Sequence, residues 1–210
     1  MRDRNAPLGA ADVPGLAWAK MDGLIPVVVQ DPASGAVLML GYMNAEALGA
    51  TLESGFVTFF SRSKERLWMK GESSGNRLTL VEVREDCDGD ALLVQARPEG
   101  PTCHLGASNC FMSEVQGPGW LTELSRIVAS RASSDDDKSY TRHLLNEGVE
   151  RIAQKVGEEG VEIALAGVTR DAAGCAEETA DLLYHLSVLM EAKGYSWEDV
   201  IAVLRQRHAG

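Results

Sequence analysis

Three of the four cysteines, Cys87, Cys103 and Cys110, fall within 24 residues, and the first is set inside Asp86-Cys-Asp-Gly-Asp90. Three thiolates suit a zinc ion that keeps one position open to water, the pattern of a catalytic centre. A structural site usually takes four ligands, often from a Cys-x-x-Cys pair, and the sequence contains no such pair. Zinc lowers the pKa of a bound water towards neutrality. His104, beside Cys103, is a fourth ligand, a general base or a satisfied polar residue, and the base role is the one expected of it. The His-x-Glu…Pro-Cys-x-x-Cys signature of zinc nucleobase deaminases is absent. Asp86, Asp88 and Asp90 alternate along the chain: in a strand they face one side, and in a loop they can wrap a cation such as Mg²⁺. They do not open an EF-hand, because Ala91 follows Asp90 and Arg97 stands where the closing Glu belongs. Alone, the aspartates read as a polar turn; Cys87 among them favours a site. Cys175, far downstream, reads as a buried apolar thiol on a helix face.

The second half of the chain carries carboxylates instead. In Gly157-Glu-Glu-Gly-Val-Glu162 and Glu177-Glu-Thr-Ala-Asp181, Glu159 with Glu162 and Glu178 with Asp181 are spaced to share one helix face. Most such strings are solvated acidic faces. At about 100° per residue, however, Ile152, Val156, Glu159, Ile163 and Ala166 form one stripe, which puts Glu159 inside the apolar face. On the second stretch Leu182, Leu186 and Leu189 form the stripe, Glu178 lies on its edge, and Asp181 and His185 fall just beyond it. A carboxylate facing a bundle core costs several kcal/mol unless it is paired or bound to metal. Two such pairs on facing helices can share Mg²⁺, a hard cation that takes oxygen ligands. A di-iron centre would want Glu-x-x-His on each of two helices; Leu182 stands three before His185, and no histidine lies near Glu162. Oxygen-only ligation points to Mg²⁺ and phosphate chemistry.

Scaffolds of two kinds must position these groups. Before Gly117-Pro-Gly-Trp120 the chain reads as short strands over residues 25–30, 36–42, 56–60, 66–70, 78–84 and 91–96, with a turn at Asp31-Pro-Ala-Ser-Gly35. Asn44 caps a short helix over 45–53, which Gly55 closes. After the break the pattern is helical: 121–132, a Ser/Asp-rich loop over 133–139, two long amphipathic stretches over 141–168 and 172–193, and a last helix to His208 opened by a capping box at Ser196-Trp-Glu-Asp199. We therefore expect two domains, 1–117 and 118–210: a β-rich α+β domain followed by an all-α helical bundle.

With 210 residues, 45% hydrophobic and 24% charged, the chain has material for such cores, and collagen-like or disordered classes are excluded. Its net charge is -11, and no basic stripe marks a nucleic-acid surface. The nearest feature, Arg62-Ser-Lys64-Glu-Arg66, is long enough only for a phosphorylated small molecule. Charge-assisted donors bind phosphate best, which makes Arg62, Ser63, Lys70, Ser74 and Asn76 candidate phosphate contacts. Trp68 could stack on a base, but a strand Trp is more often core. The longest apolar runs, 24–29 and 36–40, are far short of a membrane span, and residues 1–24 lack the apolar segment of a secretory signal, so a soluble cytoplasmic protein is expected.

Lys155-Val-Gly-Glu-Glu-Gly-Val-Glu162 and Glu178-Thr-Ala-Asp-Leu-Leu-Tyr-His-Leu186, with Ser139-Tyr-Thr141 before them, resemble the phosphoribosyl-ATP pyrophosphohydrolase family of histidine biosynthesis, an all-α branch of the nucleoside triphosphate pyrophosphohydrolases. Gly160 stands where Ala is commoner. The resemblance implies that Glu159, Glu162, Glu178 and Asp181 hold Mg²⁺ against the triphosphate. Glu158 would then be an extra ligand or orient the attacking water, and Lys155 would meet phosphate or pair with Glu158 and Glu159.

In the first half, Leu38-Met-Leu-Gly-Tyr-Met-Asn44, Ser61-Arg-Ser63, Leu67-Trp-Met-Lys-Gly-Glu-Ser-Ser-Gly-Asn76, the Asp86–Asp90 string and Cys103-His…Cys110-Phe111 resemble the phosphoribosyl-AMP cyclohydrolase family. Leu105 departs from a usual Thr, and Asn109 from a usual Ser. This resemblance implies an intertwined homodimer with a shared zinc site, Cys87 of one chain joining Cys103 and Cys110 of the other, and Mg²⁺ on Asp86, Asp88 and Asp90. Together the two resemblances imply a bifunctional hydrolase of phosphoribosyl-ATP and phosphoribosyl-AMP. A nucleotide-pool pyrophosphohydrolase fused to a metal-binding module, or a metal sensor, remains an alternative at this stage.

Overall fold

Ile25, Val27 and Val29 alternate with half-buried neighbours in Ile25–Gln30, the period of two that a strand requires. In a computed structural model describing residues 5–208 apart from 135 and 137, this segment is strand β1. The others are β2 (Val37–Met43), β3 (Thr58–Ser61), β4 (Arg66–Met69), β5 (Leu78–Glu85) and β6 (Leu92–Pro98). Four of them form a sheet in the order β2-β1-β6-β5, with β1 and β6 parallel and the other pairs antiparallel; β3 and β4 form a separate hairpin. The strand expected over 56–60 begins only at Thr58, because Phe56 makes a lone bridge to Thr79. Asn44 caps helix α1 (Ala45–Ser54) by accepting the Ala47 N–H at 2.8 Å, and Gly55 ends it at φ 75°. Two short 3₁₀ segments, Ala10–Gly15 and Trp18–Met21, were not expected from the sequence. They add Val13 and, with the flanking chain, Leu8 and Leu16 to the core built on Val27, Val29, Leu48, Phe59, Val83 and Val94.

The first compact unit ends at Gln116 and the second begins at Gly117. The second is helical: α2 (Trp120–Ala132), α3 (Tyr140–Glu147), α4 (Val149–Thr169), α5 (Ala172–Lys193) and α6 (Trp197–His208). The single helix expected over 141–168 is broken at Gly148, whose φ of 97° and ψ of 170° belong to a region that side chains avoid. Val128, Leu144, Ile152 and Val188 form its fully buried centre. The capping box of α6 is present: Asp199 accepts the Ser196 N–H at 2.8 Å and Ser196 Oγ accepts the Asp199 N–H at 3.3 Å. Among the described residues no helix is long and apolar enough to cross a membrane. The expectation for the signal segment falls partly on residues 1–4, and that for the 133–139 loop partly on 135 and 137, all outside the described residues.

Candidate active sites

In the first unit, Asp86–Asp90 forms the turn between β5 and β6. Asp86 Oδ1 closes it by accepting the N–H groups of Asp90 at 3.0 Å and Ala91 at 3.2 Å. Ligand atoms of Asp86, Cys87 and Asp88 lie within 4.8 Å of one another, whereas Asp90 joins Asp88 on the far side through the Lys20 ammonium, which bridges both carboxylates. Lys20 holds the Asp88 carboxyl below the usual carboxylate range. Lys20 is a residue the local pattern could not reveal, because the fold brings it to the turn from a distant 3₁₀ segment.

Cys103 and Cys110 lie in the loop after β6. Cys103 is buried, with its N–H bonded to the Ala107 carbonyl at 3.0 Å; Cys110 is exposed, with its N–H on the Leu38 carbonyl at 2.8 Å. Leu38 has no register partner at the bulge between β1 and β2, so its carbonyl is available to anchor the loop. Asn109 is the staple between them: its Oδ1 accepts the N–H groups of Phe111 at 3.0 Å and Ser113 at 3.2 Å, and its Nδ2 donates to the Ser113 carbonyl at 2.8 Å. The departure from Ser at this position thus supplies a buried amide that fixes the Cys110 loop. Leu105, by contrast, points its side chain largely into solvent.

Burial first, and then the neighbouring Cys103, push the Cys110 thiol up, while Lys70 opposes. Among the described residues, Cys87 does not share one ligand cluster with this pair. Both cysteine positions nevertheless offer the soft donors zinc prefers.

A cavity of about 320 Å³ opens beside Cys103, lined also by Trp68, Lys70, Ser74, Asn76 and His104 among others. Lys70 is buried, which lowers its pKa against the pull of the two thiols, and its Nζ meets the Asn76 carbonyl at 3.3 Å. Gly71 and Gly100 let the chain close around Asn76: a Cβ at Gly71 would fall 2.4 Å from its backbone oxygen, and one at Gly100 2.6 Å from its side-chain oxygen. Three expected phosphate contacts therefore line the cavity. The other two, Arg62 and Ser63, occupy the exposed turn between β3 and β4, where Arg62 stacks 3.8 Å over the Tyr42 ring, and they do not line it.

In the second unit, α4 presents Glu159 and α5 presents Glu178, both buried, and their oxygens lie within 4.8 Å of each other and of Asp181. Glu162 is exposed, yet its carboxyl is pushed up by Glu159, by desolvation and by Glu178, so it borders the same cluster. Buried carboxylates need cations. Lys155 Nζ lies 2.9 Å from both Glu158 and Glu159, and Arg170 pairs with Glu178. Glu158, on the exposed edge, also accepts from Gln154 at 2.8 Å, and these donors hold its carboxyl low, Lys155 foremost.

Two expectations for α5 need correction. His185 is buried inside the packed face and not beyond it, while Leu182, Leu186 and Leu189 are only half-buried. The signal was its spacing: seven residues after Glu178 is nearly two full turns, which returns to the same face. Cys175 is half-buried, because its end of α5 lies away from the buried centre.

A β-rich unit whose cavity is walled by Cys103, His104 and Lys70, joined to a helical unit in which two buried carboxylates and an exposed one converge, is the arrangement of a two-site enzyme. Residues 39–112 match the family model described as phosphoribosyl-AMP cyclohydrolase, and residues 121–208 that described as phosphoribosyl-ATP pyrophosphohydrolase. The chain is 57% identical over 194 residues to the histidine biosynthesis bifunctional protein HisIE of Xanthomonas axonopodis pv. citri, covering 92% of this chain and 93% of that one. It is 53% identical over 206 residues to HisIE of Vibrio vulnificus, covering 95% and 98%, and 55% identical over 193 residues to HisIE of Escherichia coli, covering 92% and 95%. The chain belongs to the bifunctional HisIE family of histidine biosynthesis, with phosphoribosyl-AMP cyclohydrolase and phosphoribosyl-ATP pyrophosphohydrolase activities.

Proposed function

We propose that the helical unit releases pyrophosphate from phosphoribosyl-ATP with Mg²⁺, and that the β-rich unit then opens the adenine ring of phosphoribosyl-AMP with zinc. The convergence of Glu159, Glu178 and Asp181 within 4.8 Å carries the first half, since three carboxylate oxygens at that spacing are a donor set for a hard cation. Glu162 would complete it, Glu158 would orient the attacking water from the exposed edge, and Lys155 would move from Glu159 to the phosphates once the cation neutralises the cluster. For the second half, Lys70, Ser74 and Asn76 would hold the phosphate in the cavity, while Arg62 and Ser63 would contact it only if the turn between β3 and β4 moved. His104, on the cavity wall beside Cys103, would move the proton that ring opening requires.

When bound, Mg²⁺ supplies charge neutralisation at the triphosphate, and zinc supplies an acidified water for attack on the ring. The separation of Cys87 from Cys103 and Cys110 supports a zinc site completed by a second copy, hence a homodimer, with Mg²⁺ on Asp86, Asp88 and Asp90. A cytoplasmic location belongs to the same reading. A time course on phosphoribosyl-ATP with both metals tests it: pyrophosphate should appear first and the ring-opened product second. Folded, metal-loaded protein that yields neither product would refute it.

A further inference from the structure

His185 reaches the carboxylate cluster without belonging to it. Its Nδ1 lies 2.9 Å from the Asp181 carbonyl oxygen and 3.5 Å from Glu159 Oε1, and its Nε2 lies 3.3 Å from the Tyr140 hydroxyl. A carbonyl oxygen only accepts, so in the neutral ring Nδ1 carries the proton, and Nε2 takes the hydrogen bond that Tyr140 donates. The ring has little room to turn. Tyr140 stands edge-on at 6.2 Å and Tyr184 at 5.1 Å, and the Tyr184 hydroxyl is fixed 2.8 Å from Thr141 Oγ1. The one N–H of the imidazole therefore bonds to the Asp181 carbonyl, and Glu159 Oε1 lies in electrostatic contact with the same nitrogen, beyond a normal hydrogen-bond length. That Glu159 oxygen is the one Lys155 also meets, so it is engaged from its own helix and from the facing one.

We infer that His185 is a positioning residue for the helical unit's carboxylates: its Nδ1–H fixes Glu159 relative to Asp181, and so sets the spacing of the oxygens offered to a divalent cation. This rests on the proposal that these carboxylates hold Mg²⁺. Outer polar partners of ligating carboxylates orient them, and losing one typically costs about 10- to 100-fold in metal affinity or activity.

Two substitutions in the full-length chain separate positioning from core filling. His185→Asn keeps an amide donor near the place of Nδ1, whereas His185→Gln carries its amide out towards Nε2 and leaves Glu159 with Lys155 alone. Mn²⁺ binding, read by electron paramagnetic resonance, is the measurement, and the component lost in Glu159→Gln identifies the helical site. His185→Gln should weaken that component about 10- to 100-fold, and His185→Asn should retain it to within about threefold. Equal weakening by both, or by neither, would overturn the inference while leaving the metal site intact. A wild-type chain without any Glu159-dependent Mn²⁺ component would overturn the metal reading itself, and the inference with it. Should His185→Gln fail to fold, Tyr140→Phe decides: removing only the hydroxyl that orients the ring should weaken Mn²⁺ severalfold, and unchanged affinity would overturn the inference.

Discussion

Lys155 Nζ sits 2.9 Å from Glu159 Oε1, one turn along the same helix, and supplies the buried carboxylate with a cation. The two acidic partners, Glu159 first, push the Lys155 pKa above its ordinary 10.5, so its contribution to stability is complete at neutral pH and is lost only as pH rises through that raised value. Removing one partner leaves a buried charge with less compensation, a loss on the order of 2 kcal/mol for a hydrogen bond to a charged group. Lys155→Gln should therefore lower the denaturation midpoint of the helical unit in chelator. Added Mg²⁺ should recover most of that loss, because the divalent cation takes over the neutralising role. An equal loss with and without Mg²⁺ would show that Lys155 and the cation do not share a task.

The two chemistries should come apart by mutation. Glu159→Gln removes a charge from the carboxylate cluster and should cut pyrophosphate release at least about 100-fold while ring opening of supplied phosphoribosyl-AMP continues. Cys103→Ser should do the reverse, because a hydroxyl is a poor zinc donor. Loss of both activities in either folded variant contradicts a two-site chain.

Glu162 gives a pH signature in the metal-free protein. Its carboxyl is raised by Glu159 foremost, so the folded state holds this proton more tightly than the unfolded state. By linkage, the associated stability is present at acid pH and fades as pH rises through the raised value. At neutral pH the ionised Glu162 thus works against the fold, and Glu162→Gln should raise the thermal midpoint in chelator. The gain should vanish below pH about 4, where the wild-type carboxyl is protonated as well. A pH-independent gain would assign the effect to helix propensity and not to charge.

The strands were legible because β-branched and polar residues alternate in runs such as Ile25–Gln30, and the carboxylate pairs because their spacing matched a helix face. What escaped was set by contacts between distant segments. Lys20 reaches Asp88 and Asp90 only after the chain has folded, and nothing in its own neighbourhood announces it. The 3₁₀ segment at Ala10–Gly15 carries no apolar period and is shaped by burial of Val13 and the turn at Pro14. His185 was misplaced because the leucines beside it suggested a stripe, while packing against α4 selected the polar face that carries Glu178. Asn109 looked like a departure from a pattern; its four hydrogen-bonding directions are used in the loop.

Two glycines of the second unit should respond to the same substitution with opposite signs. Gly148 breaks the helical run at φ 97° and ψ 170°, and a Cβ there would meet only Glu150 Oε2, at 3.4 Å. The cost of alanine is therefore conformational, about 1–3 kcal/mol for a residue forced into a sparsely populated region. Gly160 lies inside α4, and a Cβ there would meet nothing within 4 Å. Alanine at this position should stabilise by about 0.5–1 kcal/mol, through the entropy that glycine loses in a helix, and should leave the neighbouring carboxylates in place. Urea denaturation followed by helical circular dichroism should show a lowered midpoint for Gly148→Ala and a raised one for Gly160→Ala. Destabilisation by both would mean that Gly160 is kept for a close approach that opens only when substrate or a second chain is present.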